Sequence, residues 1–163
     1  MLHKDKCEYL FKIMHDSHTS RDVRDQIGRT VTRAIIKGIK IISHCKSDPE
    51  RKELPQVVEL ETLVREVTGF LFDVLKSRKF QAKWSYLREY FEMLSDIGID
   101  ERYQAEFLLS QYDDIVADLC DFMLQQNSPR ALKEEDARVE MGGSTNKPSF
   151  GPLVALASHL LRC

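Results

Sequence analysis

Apolar side chains recur along this chain at three- and four-residue steps, the spacing that gathers them on one face of an α-helix. Leu10, Phe11, Ile13 and Met14 end a first short stretch, which predicts a helix from about Lys4 to His15. Asp16, Ser17 and Thr19 then break the pattern with side chains that cap and turn. Thr19, with Asp22 three residues on, has the form of a capping box with Asp in place of Glu. The helix it opens carries Val23, Ile27, Val31, Ala34, Ile35, Gly38 and Ile42 on one stripe. β-Branched residues crowd this stretch, but strict alternation fails: Ile35 and Ile36 are adjacent, and Arg33 and Lys37 share the register of Ile35. The pattern is helical.

Ser47, Asp48 and Pro49 close that element and begin a polar connection to Pro55, a residue suited to the first turn of a helix. From there Val57, Leu60, Val64, Val67, Leu71 and Val74 keep the 3-4 spacing without a break. Leu63, Phe70 and Leu75 widen the stripe, so this helix is expected to pack on more than one neighbour. A third pattern, Trp84, Leu87, Phe91 and Leu94, runs to Gly98, read as a C-terminal cap. Asp100 is placed to cap a helix through Tyr103, Phe107 and Leu108, and Ile115, Val116, Leu119, Phe122 and Met123 form another.

After Asn127, Ser128 and Pro129 the apolar content collapses. A charged run at 133–136 and a Gly-, Ser- and Asn-rich stretch at 142–148 read as a flexible polar loop over 128–151. Leu153, Val154, Leu156, Ala157, Leu160 and Leu161 then begin a fresh apolar helix over 152–163. So late an apolar face leaves little chain to cover it. The expectation is an all-α protein: stacked helical hairpins over 1–127, armadillo- or HEAT-like, cut from or shortened from a longer array.

Composition narrows the function. With 42% hydrophobic and 9% aromatic residues, the chain can bury a core. The 24 Lys and Arg against 26 Asp and Glu exclude a globally basic nucleic-acid binder. No apolar run reaches the roughly 18 residues that span a bilayer, and Lys4, Asp5, Lys6 and Glu8 are unlike a signal peptide. Cys7, Cys45, Cys120 and Cys163 are scattered, with no Cys-x-x-Cys pair, as expected of reduced thiols in an intracellular protein, cytoplasmic first and nuclear as the alternative.

The sequence carries no complete motif for reactive chemistry. Gly142 and Gly143 with Lys147 and Pro148 do not make a P-loop. His15 with His18, and His3 with Cys7, have spacings suited to zinc, but no further ligand completes either set. His44 and Cys45 are adjacent and point about 100° apart on a helix, so they cannot form a thiolate–imidazole pair. Cys120 borders an apolar face and reads as a small core residue. No catalytic residue, metal ligand or cofactor is expected.

Charge is patterned. Arg29, Arg33, Lys37 and Lys40 share one face of the second helix, with Arg21 and Arg24 near its start, while Asp114, Asp118 and Asp121 form an acidic row later. These rows could dock a charged protein partner, form solvated faces, or meet each other within the stack. No aromatics interleave the basic row, so stacking on nucleic-acid bases is not expected.

Three stretches carry a family resemblance: residues 64–75, the turn at 84–87, and Cys120, Asp121, Phe122, Met123 and Leu124 with Ser128 and Pro129. Over about residues 8 to 155 the chain resembles the long helical region outside the catalytic domain of very large ubiquitin-specific proteases, the fat-facets-like group. That resemblance implies a scaffold belonging to an intracellular thiol protease that cuts the isopeptide bond after ubiquitin's C-terminal glycine. It implies partners in the ubiquitin system or in the parent's own domains, with no membrane or nucleic acid. The family's Asn-Thr-Cys and Gly-His-Tyr-type boxes do not occur here, so no catalytic role passes to any residue of this chain. A self-standing helical adaptor is the alternative.

Overall fold

The computed structural model describes residues 4–16, 18–76, 84–112, 114–126 and 150–163, and seven helices occur among these described residues. No strand occurs among the described residues. The helices are α1 (Lys4–His15), α2 (Arg21–Lys46), α3 (Pro55–Lys76), α4 (Trp84–Ile99), α5 (Arg102–Gln111), α6 (Ile115–Gln126) and α7 (Gly151–Arg162). The all-α expectation holds. The 133–136 and 142–148 stretches of the expected polar loop, and the Ser128–Pro129 dipeptide, lie outside the described residues.

The helix ends depart from the sequence reading in three places. The N-cap of α2 is Ser20, whose Oγ accepts the Val23 N–H at 3.3 Å. The Thr19 hydroxyl instead donates to the Ile13 carbonyl at 2.7 Å, tying the turn back to α1. Glu101, not Asp100, stands at the N-cap of α5 and makes no side-chain cap bond. Gly98 does not end α4 as a cap but lies inside its last turn. The cap is supplied by Gln104, almost fully buried, whose amide donates to the carbonyls of Asp96 at 3.1 Å and Ile97 at 3.0 Å. Those are two of the four carbonyls that a helix C-terminus leaves without an intrahelical partner.

Gly98 serves packing. A Cβ there would collide with Leu156 of α7 and stand 2.8 Å from Cδ1 of Leu108 of α5. Three helices therefore meet at a point where α4 has no side chain. A second close approach joins α2 and α3, where a Cβ on Gly38 would stand 2.7 Å from Cγ2 of Val64.

Around these contacts α2 packs on α1, α3, α4 and α5, and α4 packs on α2, α3, α5 and α7. Ile35, Ile39 and Ile42 of α2, with Phe91, Leu94 and Ile97 of α4, are almost wholly removed from solvent. Phe11 stacks on Phe70 at 4.7 Å between ring centres, clamping α1 to α3.

The last helix corrects an expectation. Its apolar face does not lack cover: Leu153, Leu156, Ala157 and Leu160 are all buried, against α4, α5 and α6. Helices earlier in the chain fold back to supply the cover that sequence order withholds. The expected loop also ends sooner, because α7 starts at Gly151 and the Phe150 ring packs 5.9 Å from Phe91 and 6.1 Å from Phe122. Burying each of the three leucines is worth roughly 1.5–3 kcal/mol, which makes α7 an integral part of the core.

Two substitutions separate packing from propensity. Gly98→Ala should lower the urea midpoint, since overpacking costs about 1–3 kcal/mol against the roughly 1 kcal/mol that helix propensity returns. Gly28→Ala should leave the midpoint unchanged or raise it, because the nearest atoms to its Cβ lie at 3.6 Å on flexible Met93. A Gly98→Ala protein as stable as wild type would mean that Leu108 and Leu156 yield.

Candidate functional site

The stripe of α2 opposite its isoleucines holds the basic row. Arg29, Arg33, Lys37 and Lys40 follow one another at helical steps, so all four fall on one outward arc, and all four are exposed. None of their side chains makes an ion pair or hydrogen bond with a described residue. Ion pairs form elsewhere, among them Lys46 with Glu61 at 2.7 Å and Arg65 at 3.7 Å from the same carboxylate.

The acidic row is placed apart from it. Asp114 precedes α6 with a positive φ of 56°, a left-handed conformation that Asp tolerates better than most residues. Its carbonyl accepts the Asp118 N–H at 2.9 Å, so this residue begins the helix. Asp114 and Asp118 thus occupy the end of α6 where the helix dipole favours negative charge. Asp121 is exposed one turn on. Among the described residues no ion pair joins the two rows, and they do not meet within the bundle.

Arg29 differs from its three companions. It borders a small cleft between α2 and α4, about 30 Å³, lined also by Asp25, Thr32, Glu92 and Asp96. Glu92, Asp96 and Asp100 follow at four-residue steps toward the negative end of α4, whose last turn carries no basic residue. The Asp96 carboxyl is held above its ordinary value by burial first, then by the Asp100 and Glu92 charges, although the residue as a whole keeps contact with solvent. The Thr32 hydroxyl is buried at the same cleft with no hydrogen-bond partner among the described residues. The i, i+4, i+8 spacing of the carboxylates was legible in the sequence; the arrival of Thr32 and Arg29 opposite them was not.

The thiols do not converge on a nucleophilic centre. Cys7 is buried in the core near Phe11, Cys45 is half-buried, and Cys120 and Cys163 are exposed; none is in a disulfide. The exposure of Cys120 corrects its assignment to the core: it stands beside the apolar stripe of α6, on the outer side of the helix. His18 is exposed in the turn after α1, its N–H donating to Asp16 Oδ1 at 2.9 Å. His3 and the side chain of His15 lie outside the described residues. Among the described residues no group of three or more His, Cys, Asp and Glu side chains could hold a metal ion, and no helix is long and apolar enough to cross a membrane.

A wider groove of about 410 Å³ lies between the C-terminal half of α2 and α5, floored by Ile39, Ile42 and Phe107 and edged by Lys46, Tyr103 and Glu106. Ser47 and Ser110 also line it, their hydroxyls donating to the carbonyls of Ser43 at 2.9 Å and Phe107 at 2.8 Å. No protein-family model, curated protein or solved structure matches the chain.

The Asp96 carboxyl yields a signed pH effect. A carboxyl whose pKa rises on folding binds more protons in the native state than in the unfolded one, so stability falls as pH climbs from 3.8 to the raised value and stays reduced above it. Asp96→Asn removes that penalty. Its melting temperature should exceed wild type at pH 7, and the gain should fade in acid below the ordinary carboxyl range. Thermal melts across that range decide it, and equal melting at pH 7 would count against the cleft as drawn.

Proposed function

We propose that this chain is a non-catalytic protein-interaction module, a scaffold segment of a large ubiquitin-specific cysteine protease, whose docking surface is the basic face of α2. The observation that carries the docking surface is the row Arg33, Lys37 and Lys40, with Arg29 at its edge: exposed cations held on one rigid helix with no described partner. A fixed row of one sign attracts a complementary acidic surface and speeds encounter. The ubiquitin context rests on the resemblance of residues 64–75, 84–87 and 120–124, with Ser128 and Pro129, to the fat-facets-like group. The packing of α2 with α3 on α4 with α5, and of α4 on α7, supports an armadillo- or HEAT-like stack.

A second reading, a self-standing helical adaptor, is favoured by one observation. The apolar faces of α3 and α7 are both buried, Val64, Leu71, Leu153 and Leu156 among them, so the fold closes on itself.

Binding to mono- and di-ubiquitin, to a fluorescent poly-glutamate peptide and to duplex DNA tests the docking surface. The expected result is salt-sensitive binding to an acidic protein probe or ubiquitin species. It should be lost when Arg33→Glu, Lys37→Glu and Lys40→Glu are combined, with helical content unchanged. Arg29 is left in place because it borders the acidic cleft. Equal binding by the triple variant, or preference for DNA, overturns the reading. Urea unfolding separates the two contexts: one cooperative transition of a monomer supports the adaptor, self-association supports the scaffold segment.

A further inference from the structure

The groove between α2 and α5 runs beside the basic row. Lys40 and Ser43 have the i, i+3 spacing of neighbours on a helix surface. Ser43 lines the groove and Lys40 is exposed, with Lys37 one turn behind it on the same row. The charges on the groove's own rim are matched locally: Lys46 holds Glu61 at 2.7 Å, and Glu106 holds Arg102 at 2.8 Å. The positive charge at this place therefore comes from the row, along the α2 side of an apolar trough. Its floor is preformed, because Ile39, Ile42 and Phe107 are almost wholly buried members of the core. Half-buried Tyr103 turns part of its ring to the same space, an aromatic body of the kind that anchors interfaces.

We propose that this groove receives an acidic amphipathic helix of a partner protein, with its apolar side chains in the trough and its carboxylates over Lys37 and Lys40. The inference rests on the reading of α2 as a docking surface and specifies the partner's form. Charge selects the acidic helix, since a basic one would meet repulsion from the row. The walls select a helix over an extended peptide. Both are α-helices whose main chains pair internally, so neither offers a strand edge to extend. A helix brings apolar side chains at three- and four-residue steps and lies as a third member in the hollow between two packed ones. The volume of about 410 Å³ falls within the roughly 300–1,000 Å³ of pockets that hold a ligand.

The test is fluorescence anisotropy with the full chain and three labelled peptides. One is poly-glutamate, one is a Leu–Glu helix with its leucines on one face, and one has the same composition shuffled so that the leucines scatter. The facial peptide should bind about tenfold more tightly than the shuffled one, as partial burial of one leucine contributes, and should shift the methyl resonances of Ile39 and Ile42. Ser110→Trp, which fills the groove, and Tyr103→Ala, which removes part of its wall, should each erase that difference and leave poly-glutamate binding unchanged. Circular dichroism checks that both variants stay helical. The combined Arg33→Glu, Lys37→Glu and Lys40→Glu variant should weaken all three peptides. Equal binding of the facial and shuffled peptides, or a difference that survives in Ser110→Trp, overturns the inference while poly-glutamate binding upholds the docking surface. If none of the three binds, the inference falls, and the ubiquitin titrations decide the docking surface separately.

Discussion

Where α4 passes Gly98, the side chains of Leu108 and Leu156 occupy the volume that any larger residue would need. That contact lets α5 and α7 reach the α4 backbone together. Both leucines are fully buried, as is Ile97 beside them, so neither has an easy direction of retreat. The same turn would leave its last carbonyls without donors in an apolar setting. Gln104, one turn into α5, answers two of them with its amide. Packing and hydrogen bonding thus act on the same turn, and the orientation of α5 follows from both.

The electrostatic arrangement is a consequence of that packing. One side of the α4 terminus is closed by leucines, so its charges collect on the other side as the row Glu92, Asp96 and Asp100. Burial first, then repulsion from Asp100 and Glu92, oppose ionisation at the middle of this row, and the raised Asp96 pKa is the local sign of the conflict. Arg29 faces this row from α2, which makes it part of the bundle's own charge balance. Arg33, Lys37 and Lys40 have no such neighbour described. A net charge of −2 therefore conceals segregation, with a basic face on α2 and acidic ends on α4 and α6.

The helices themselves were legible because periodicity is local. The spans of α1, α3 and α4 follow from the 3-4 stripe, and Pro55 opens its helix as its fixed φ allows. The ends were less legible, because caps are decided by single atoms. Thr19 and Ser20 are chemically alike, and only the turn from α1 determines which hydroxyl reaches the α2 backbone. Gly98 had two possible roles, and the partner residues that select packing over capping come from helices later in the chain. The basic and acidic rows were legible as rows. Their separation was not, since it depends on α6 packing against α3 and α7 rather than α2.

The burial of α7 also bears on what a larger assembly could use. Its inward face carries three leucines, while outward it offers Val154 and Leu161, half to three-quarters exposed and two turns apart. Burying both against a further hairpin would contribute at most about 3–6 kcal/mol before the cost of ordering is set against it. The contact that seats α7 on α4 involves more apolar side chains and a tighter approach. A neighbour stacked on this end would therefore be held weakly by apolar contact alone. Recognition at this end would have to draw on directional polar contacts. Elsewhere on the molecule the fixed charges of α2 are the stronger lever, because they act before contact and need no further apolar surface.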